Sequence, residues 1–291
     1  MKVSNKQMRT AVFLAASCLG AAGAFGQGQP AQQPQKPAPT QAPADKSAPA
    51  QAAPLTLDSA PPPVNAEEEA AVKAFRDEKS EDAAKKDQMA EEFLQKYPQS
   101  RYRPEIYSWE VKSYFSKGQV EKMEAAADKQ LELTPNDPQT LAIVGSTLPR
   151  AMNASTPEPQ KRLAKSEQFC QKALDILPTI PKPESITEDM FLKMKNQVSA
   201  MAYSGLGVVA FRRAKYSDAI TNFEQSVKLD PQPDPVNFYL LGISNEKTSH
   251  FDDAVSAFNN CAAIPGGMQT TCKQNSDEAK KLAATQLSAP K

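Results

Sequence analysis

The sequence predicts an all-α fold: a helix-turn-helix solenoid of about five helix pairs with a C-terminal capping helix, preceded by a disordered N-terminal region. Three observations carry this. From Ala66 onward apolar residues recur at three and four places with no sustained alternation, which is the helical period. A pattern of small and aromatic residues returns after 35 positions, from Gly207 to Gly242 and from Ala219 to Ala254. Proline and glycine are unevenly placed, with ten of the 25 prolines between Pro30 and Pro63 and four of the 11 glycines in the first 28 residues.

Residues 1–26 open with Lys2, Lys6 and Arg9, run through small and apolar residues from Ala11 to Ala24, and turn polar at Gln27. This is the three-part plan of a secretory signal peptide, too short to span a membrane as a stable helix. Two processing routes fit. Ala22-Gly23-Ala24, or Ala24-Phe25-Gly26 before Gln27, suits ordinary signal peptidase and a soluble periplasmic product. Ala15-Ala16-Ser17-Cys18 resembles a bacterial lipobox that would make Cys18 the lipidated first residue, although Leu14 stands four places before the cysteine rather than three. Either route places the chain in the periplasm or cell envelope.

Residues 27–64 form a linker of mostly Pro, Ala, Gln, Lys, Ser and Thr. It lacks the apolar groups needed to offset chain entropy and is expected to stay disordered. In extended polyproline II form residues 27–63 would reach at most about 115 Å at ~3.1 Å per residue, as a passive spacer or, with Cys18 lipidated, as a tether.

Residues 65–288 carry the helical repeats, clearest at 200–231 and 235–266. In the first of these, Tyr203 and Leu206-Gly207 lie on one helix, and Ala219 and Phe223 on the next, which stops before Pro231. The second repeats this with Phe238, Leu241-Gly242, Ala254, Phe258 and Pro265. Gly207 and Ala219 let two antiparallel helices approach closely, and the proline blocks continuation. Pro98, Pro135 and Pro178 extend the same register upstream. The extra length falls in a longer turn near Asn153–Pro157 and in a Pro-rich run from Thr179 to Glu184. Ser185 and Glu188 match a capping box opening a long helix, and a solvated closing helix is expected at about 269–287.

Several classes of function are disfavoured. With 34 basic and 34 acidic residues the chain is neutral, unlike a nucleic-acid binder. The single histidine, His250, falls in a turn, and no P-loop, G-x-S-x-G or H-E-x-x-H motif occurs, so neither catalytic nor metal-binding residues, and no cofactor or small-molecule substrate, are expected. Cys261 and Cys272 flank Pro265-Gly266-Gly267 and in an oxidising compartment would form a disulfide stapling the closing helix, the alternative being two small core thiols. Cys170, beside Phe169 and Ala173, reads as a buried inert thiol.

The aromatic, Leu-Gly, Ala, aromatic, Pro pattern of 200–266 resembles the tetratricopeptide repeat, whose period is ~34 residues. The resemblance implies a protein or peptide partner bound on the inner surface that the first helix of each pair forms. By register, that surface presents Trp109, Phe115, Val208, Phe211, Arg212, Tyr239, Ile243 and Lys247, among them the aromatic and Arg types enriched at binding hot spots. Some family members grip a terminal carboxylate there with Lys and Asn; Ser204, Val208, Tyr239 and Ile243 fill the comparable places here, which favours a partner segment with apolar anchors. Over ten residues, Phe93 to Tyr102, the chain is also similar to the early repeats of the outer-membrane assembly lipoprotein that works beside the β-barrel insertase. That likeness implies an envelope setting and, as a second reading, a lipid-anchored structural subunit of an outer-membrane assembly complex.

Overall fold

The computed structural model describes residues 65–79 and 83–288, with side chains through residue 285. The export signal, Cys18 and the linker lie outside the described residues. Among the described residues every element is helical: α1 Ala66–Asp77, α2 Ala83–Lys96, α3 Arg103–Ser116, α4 Val120–Leu133, α5 Pro138–Ala151, α6 Pro159–Ile176, α7 Glu188–Arg212, α8 Tyr216–Leu229, α9 Pro235–Lys247, α10 Phe251–Ala263 and α11 Gln269–Ser288, with one 3₁₀ turn at Leu177–Thr179. They form five successive pairs and a closing helix.

The second helix of every pair ends two residues before a proline. The last helical residues Lys96, Leu133, Ile176, Leu229 and Ala263 precede Pro98, Pro135, Pro178, Pro231 and Pro265. A proline ring pushes the residue before it out of the α region, as at Thr134, Asp230 and Ile264, whereas Leu177 before Pro178 stays helical and α6 runs on into the 3₁₀ turn before it stops. The first helices begin by a different device. Asn65, Asp137 and Asp234 each accept a backbone N–H of the first turn, and Pro104, Pro138 and Pro235 occupy early helical positions where no N–H is needed. At α7 the cap is Thr187, whose hydroxyl accepts the Met190 N–H at 3.2 Å, rather than Ser185 as the capping-box pattern suggested. Ser185 is taken up in a turn closed by the Ile186 N–H on the Pro183 carbonyl, so the helix starts two residues later.

Within three pairs the turn between helices is the same left-handed cap. Gly118, Ala214 and Ser249 have φ of +66°, +57° and +63°. The following N–H in each case reaches back to Tyr114, Ala210 or Asn245. Only the first of the three uses glycine, although the conformation crowds any Cβ.

The interior is organised around one recurrent contact. A Cβ on Gly207 would lie 2.6 Å from the Phe223 ring, and one on Gly242 would lie 2.5 Å from the Phe258 ring. The aromatic ring of each second helix therefore rests on bare backbone of the first. In the third pair Gly145 meets Cys170 instead, where an added Cβ would collide with the thiol sulfur. In the second pair, Val111 and Ala127 stand 16 residues apart, as Gly207 and Phe223 do, and both are buried in one cluster. There the bulk has moved to the first helix and the small residue to the second. The closing helix is fixed at its start by the Cys261–Cys272 disulfide and packs Ala279 against Ala254 and Phe258. Closing so short a loop contributes about 3 kcal/mol.

Candidate functional site

The first helices pack in sequence, α3 against α5, α5 against α7 and α7 against α9. Their shared face is the surface to which the repeat register assigned eight residues. The structure sorts these into packed and accessible groups.

Val208 is core, 4% exposed among Ala219, Phe223 and Leu241, and is removed from the surface set. Its own pair and the next one bury it together. Trp109 is half-buried and already partnered. Its ring stands edge-on to Phe75 at 6.1 Å, the Lys86 ammonium lies 4.5 Å over it, and its Nε1 donates to Asp87 Oδ1 at 3.2 Å. Against the cost of burial, hydrogen bonds from Lys117, Ser113 and Trp109 hold the Asp87 carboxyl below its ordinary range. Tyr239 tilts against Phe258 at 5.9 Å, and Ile243 packs on the cluster of Ala254, Phe258 and Ala279, so the final pair and the closing helix cover part of both. Burial, then the Glu246 charge, raises the Tyr239 hydroxyl. Phe211 is half-buried with its edge on Tyr216 at 5.8 Å. Arg212 donates to the Met152 carbonyl at 2.8 Å, and burial lowers its guanidinium from the usual value. Phe115, 40% exposed, Arg212 and Lys247 are open to solvent.

A polar network absent from the sequence-based set ties this face together. Arg150 on α5 donates to Ser204 Oγ on α7 at 2.7 Å, to Asn237 Oδ1 on α9 at 2.6 Å, and to Asp234 Oδ2 at 2.8 Å. Ser204 also donates to Asn237 at 2.9 Å. Asn237 in turn donates to Ser226 on α8, which closes on the Ala200 carbonyl at 2.8 Å. Ser204, Asn237 and Ser226 are each at most 5% exposed, so a fully satisfied polar chain runs through three consecutive pairs. Its members lie 54 and 87 residues from Arg150, and no local motif marks them. Position 204 thus holds a structural hydroxyl.

No protein-family model matches the chain, and no curated protein matches it in sequence. Among solved structures the chain is similar to PilW, a widely conserved type IV pilus biogenesis factor, at 15% identity and a TM-score of 0.49, over 76% of this chain and 93% of that one. It is also similar to a thermophilic TPR protein of Thermus thermophilus, at 13% identity and a TM-score of 0.45, over 73% and 96%. Among the described residues no helix is long and apolar enough to cross a membrane.

Proposed function

We propose that the chain is an exported, non-enzymatic adaptor that binds a protein or peptide segment in the bacterial cell envelope on the face of its first helices. The observation that carries this reading is the Arg150 network. It locks α5, α7 and α9 into one preformed surface, so that a partner segment meets a face whose ordering cost is already met. Phe115 supplies an accessible apolar anchor on α3, Lys247 an exposed cation on α9, and Arg212 a partly desolvated guanidinium between them. The envelope setting rests on the export signal in residues 1–26.

Envelope extract passed over the wild-type chain and over a Phe115→Ala/Lys247→Ala variant tests the reading. Partners retained by the wild type should be lost from the variant, and identical partner sets would remove the first-helix face from the mechanism. Trp109→Ala and Tyr239→Ala are unsuitable probes, because both rings hold helix pairs together. A second reading rests on the lipobox-like Ala15–Cys18: the chain as a lipid-anchored structural subunit of an outer-membrane assembly complex. Fatty-acid labelling of the wild type, absent from Cys18→Ser, would support it, and an unlabelled wild type would eliminate it.

A further inference from the structure

We propose that the docking of the first helix pair on α3 is a pH-sensitive contact, tight while Glu110 carries its proton and loosened once that proton is lost. The contact is built one-sidedly, with donors on α3 and acceptors on α2. Trp109 Nε1 donates to Asp87 Oδ1 at 3.2 Å, and Ser113 Oγ donates to the same atom at 2.6 Å. Tyr114 donates its hydroxyl to Glu91 Oε1 at 3.2 Å, and the Lys117 ammonium donates to Asp87 Oδ2. Against the cost of burial, the bonds from Lys117, Ser113 and Trp109 hold the Asp87 carboxyl below its ordinary range, so it stays ionised. Burial, then the charges of Glu110 and Glu91, raise the Tyr114 hydroxyl, which keeps its proton and remains a donor.

Glu110 breaks this pattern. It stands three and four residues before Ser113 and Tyr114, on the same side of α3, and is 7% exposed. Among the described residues no hydrogen bond reaches its carboxyl. From α2 it faces Asp87 and Glu91, both acidic, and from α4 it faces Lys122, which lies 5.4 Å over the Tyr114 ring. α5 also packs on α3, but its one charged side chain, Arg150, is bound to Ser204, Asn237 and Asp234. α1 contributes Arg76, which is paired with Glu105. An ionised Glu110 is therefore a third carboxylate in a contact whose acceptors are already supplied, with Lys122 alone to offset it. A protonated Glu110 carries an O–H and suits the acceptors opposite. Burial, then the Glu91 and Asp87 charges, raise its carboxyl to about 7 against Lys122, so the change falls near neutrality. The docked state binds the proton more tightly than the free pair. Docking is thus strongest below the ordinary carboxyl range, weakens as pH rises to about 7, and changes no further above that. The apolar cluster of Val72, Phe75 and Phe93 with Ile106 and Trp109 does not titrate, so the proton shifts the docking equilibrium by a bounded factor. In a solenoid each unit contacts only its neighbours, so the first pair can part from α3, baring Ile106 and Trp109, while the later pairs stay packed.

The test is native-state hydrogen exchange of the full chain between about pH 5 and pH 8, with each rate divided by the intrinsic rate at that pH. Protection of α1 and α2 should fall about tenfold per pH unit up to about pH 7, on the order of a hundredfold in all, and then level off, while α7 to α10 hold theirs. Glu110→Gln keeps the shape and supplies a permanent N–H donor, and should retain the acid-side protection across the whole range. Glu91→Gln removes a facing charge and should move the fall to lower pH. Trp109 is the only tryptophan, and its quenching by acrylamide should rise over the same window in the wild type. Wild-type protection that stays flat across the range, a wild-type profile retained in Glu110→Gln, or a fall shared equally by α7 to α10 would each overturn the proposal.

Discussion

Gly207 shows how much a missing methyl group decides in this protein. Glycine inside a helix costs roughly 1 kcal/mol relative to alanine, so Gly→Ala would ordinarily stabilise. Here the added Cβ would fall 2.6 Å from the Phe223 ring, which is itself fully buried. Gly207→Ala is therefore expected to lower stability by about 1–3 kcal/mol in urea unfolding, opposite in sign to its propensity. Ala214 is the converse case. It holds φ +57° where glycine would be unstrained, and Ala214→Gly should raise stability by about 0.5–1 kcal/mol. Glu110 adds a pH dependence. It is 7% exposed, and burial, then the charges of Glu91 and Asp87, raise its carboxyl from 4.5 to about 7 against the opposing Lys122. The folded state thus holds this proton more tightly than the unfolded chain. Its stabilising contribution is complete below the unfolded pKa, is lost as pH rises to about 7, and changes no further above that. Glu110→Gln should match the wild type near pH 4 and exceed it by the order of 1–3 kcal/mol at about pH 8. Parallel wild-type and variant curves between those values would refute the assignment.

At the scale of the element, pairs two to five fill the space between their helices in different ways. Pairs four and five set glycine against phenylalanine, pair three sets Gly145 against Cys170, and pair two sets Val111 against Ala127. Ala127→Phe alone should overpack pair two and cost about 3 kcal/mol or more. Combining it with Val111→Gly converts the pair to the later arrangement and should restore a large part of that loss, a coupling that a double-mutant cycle measures. The proline stops and repeat spacing were readable because they act locally, each on the residue before the proline. The left-handed conformation of the turns at Ala214 and Ser249 was not, since neither carries the glycine that advertises it. The α7 cap was misread for a related reason: Ser185 and Thr187 carry the same local chemistry, and the turn at Pro183–Ile186 chooses between them.

Over the whole molecule the pairs are not equally bound. The polar network from Arg150 joins α5, α7, α8 and α9 through buried groups. The first pair meets α3 through the cluster of Val72, Phe75 and Phe93 with Ile106 and Trp109, and several exposed ion pairs such as Arg76–Glu105, Lys96–Glu67 and Arg101–Glu69 add to it. Exposed pairs of this kind are worth ~0.2–1 kcal/mol each and are screened by salt. Hydrogen exchange in about 1 M NaCl should therefore show α1 and α2 losing protection while α7 to α10 keep theirs. A uniform change along the chain would contradict this. Taken alone, the sequence determined the helical class, the five pairs, their end points and the close approach at Gly207 and Gly242. Those features follow from short-range backbone sterics and from side-chain volume repeated at a fixed period. Only the tertiary structure decided which first-helix residues remain open to a partner. Exposure depends on what the next pair covers, and so Val208 fell into the core, Trp109 was taken up by Phe75, Lys86 and Asp87, and the length of α7 left Met190, Leu192 and Met194 uncovered.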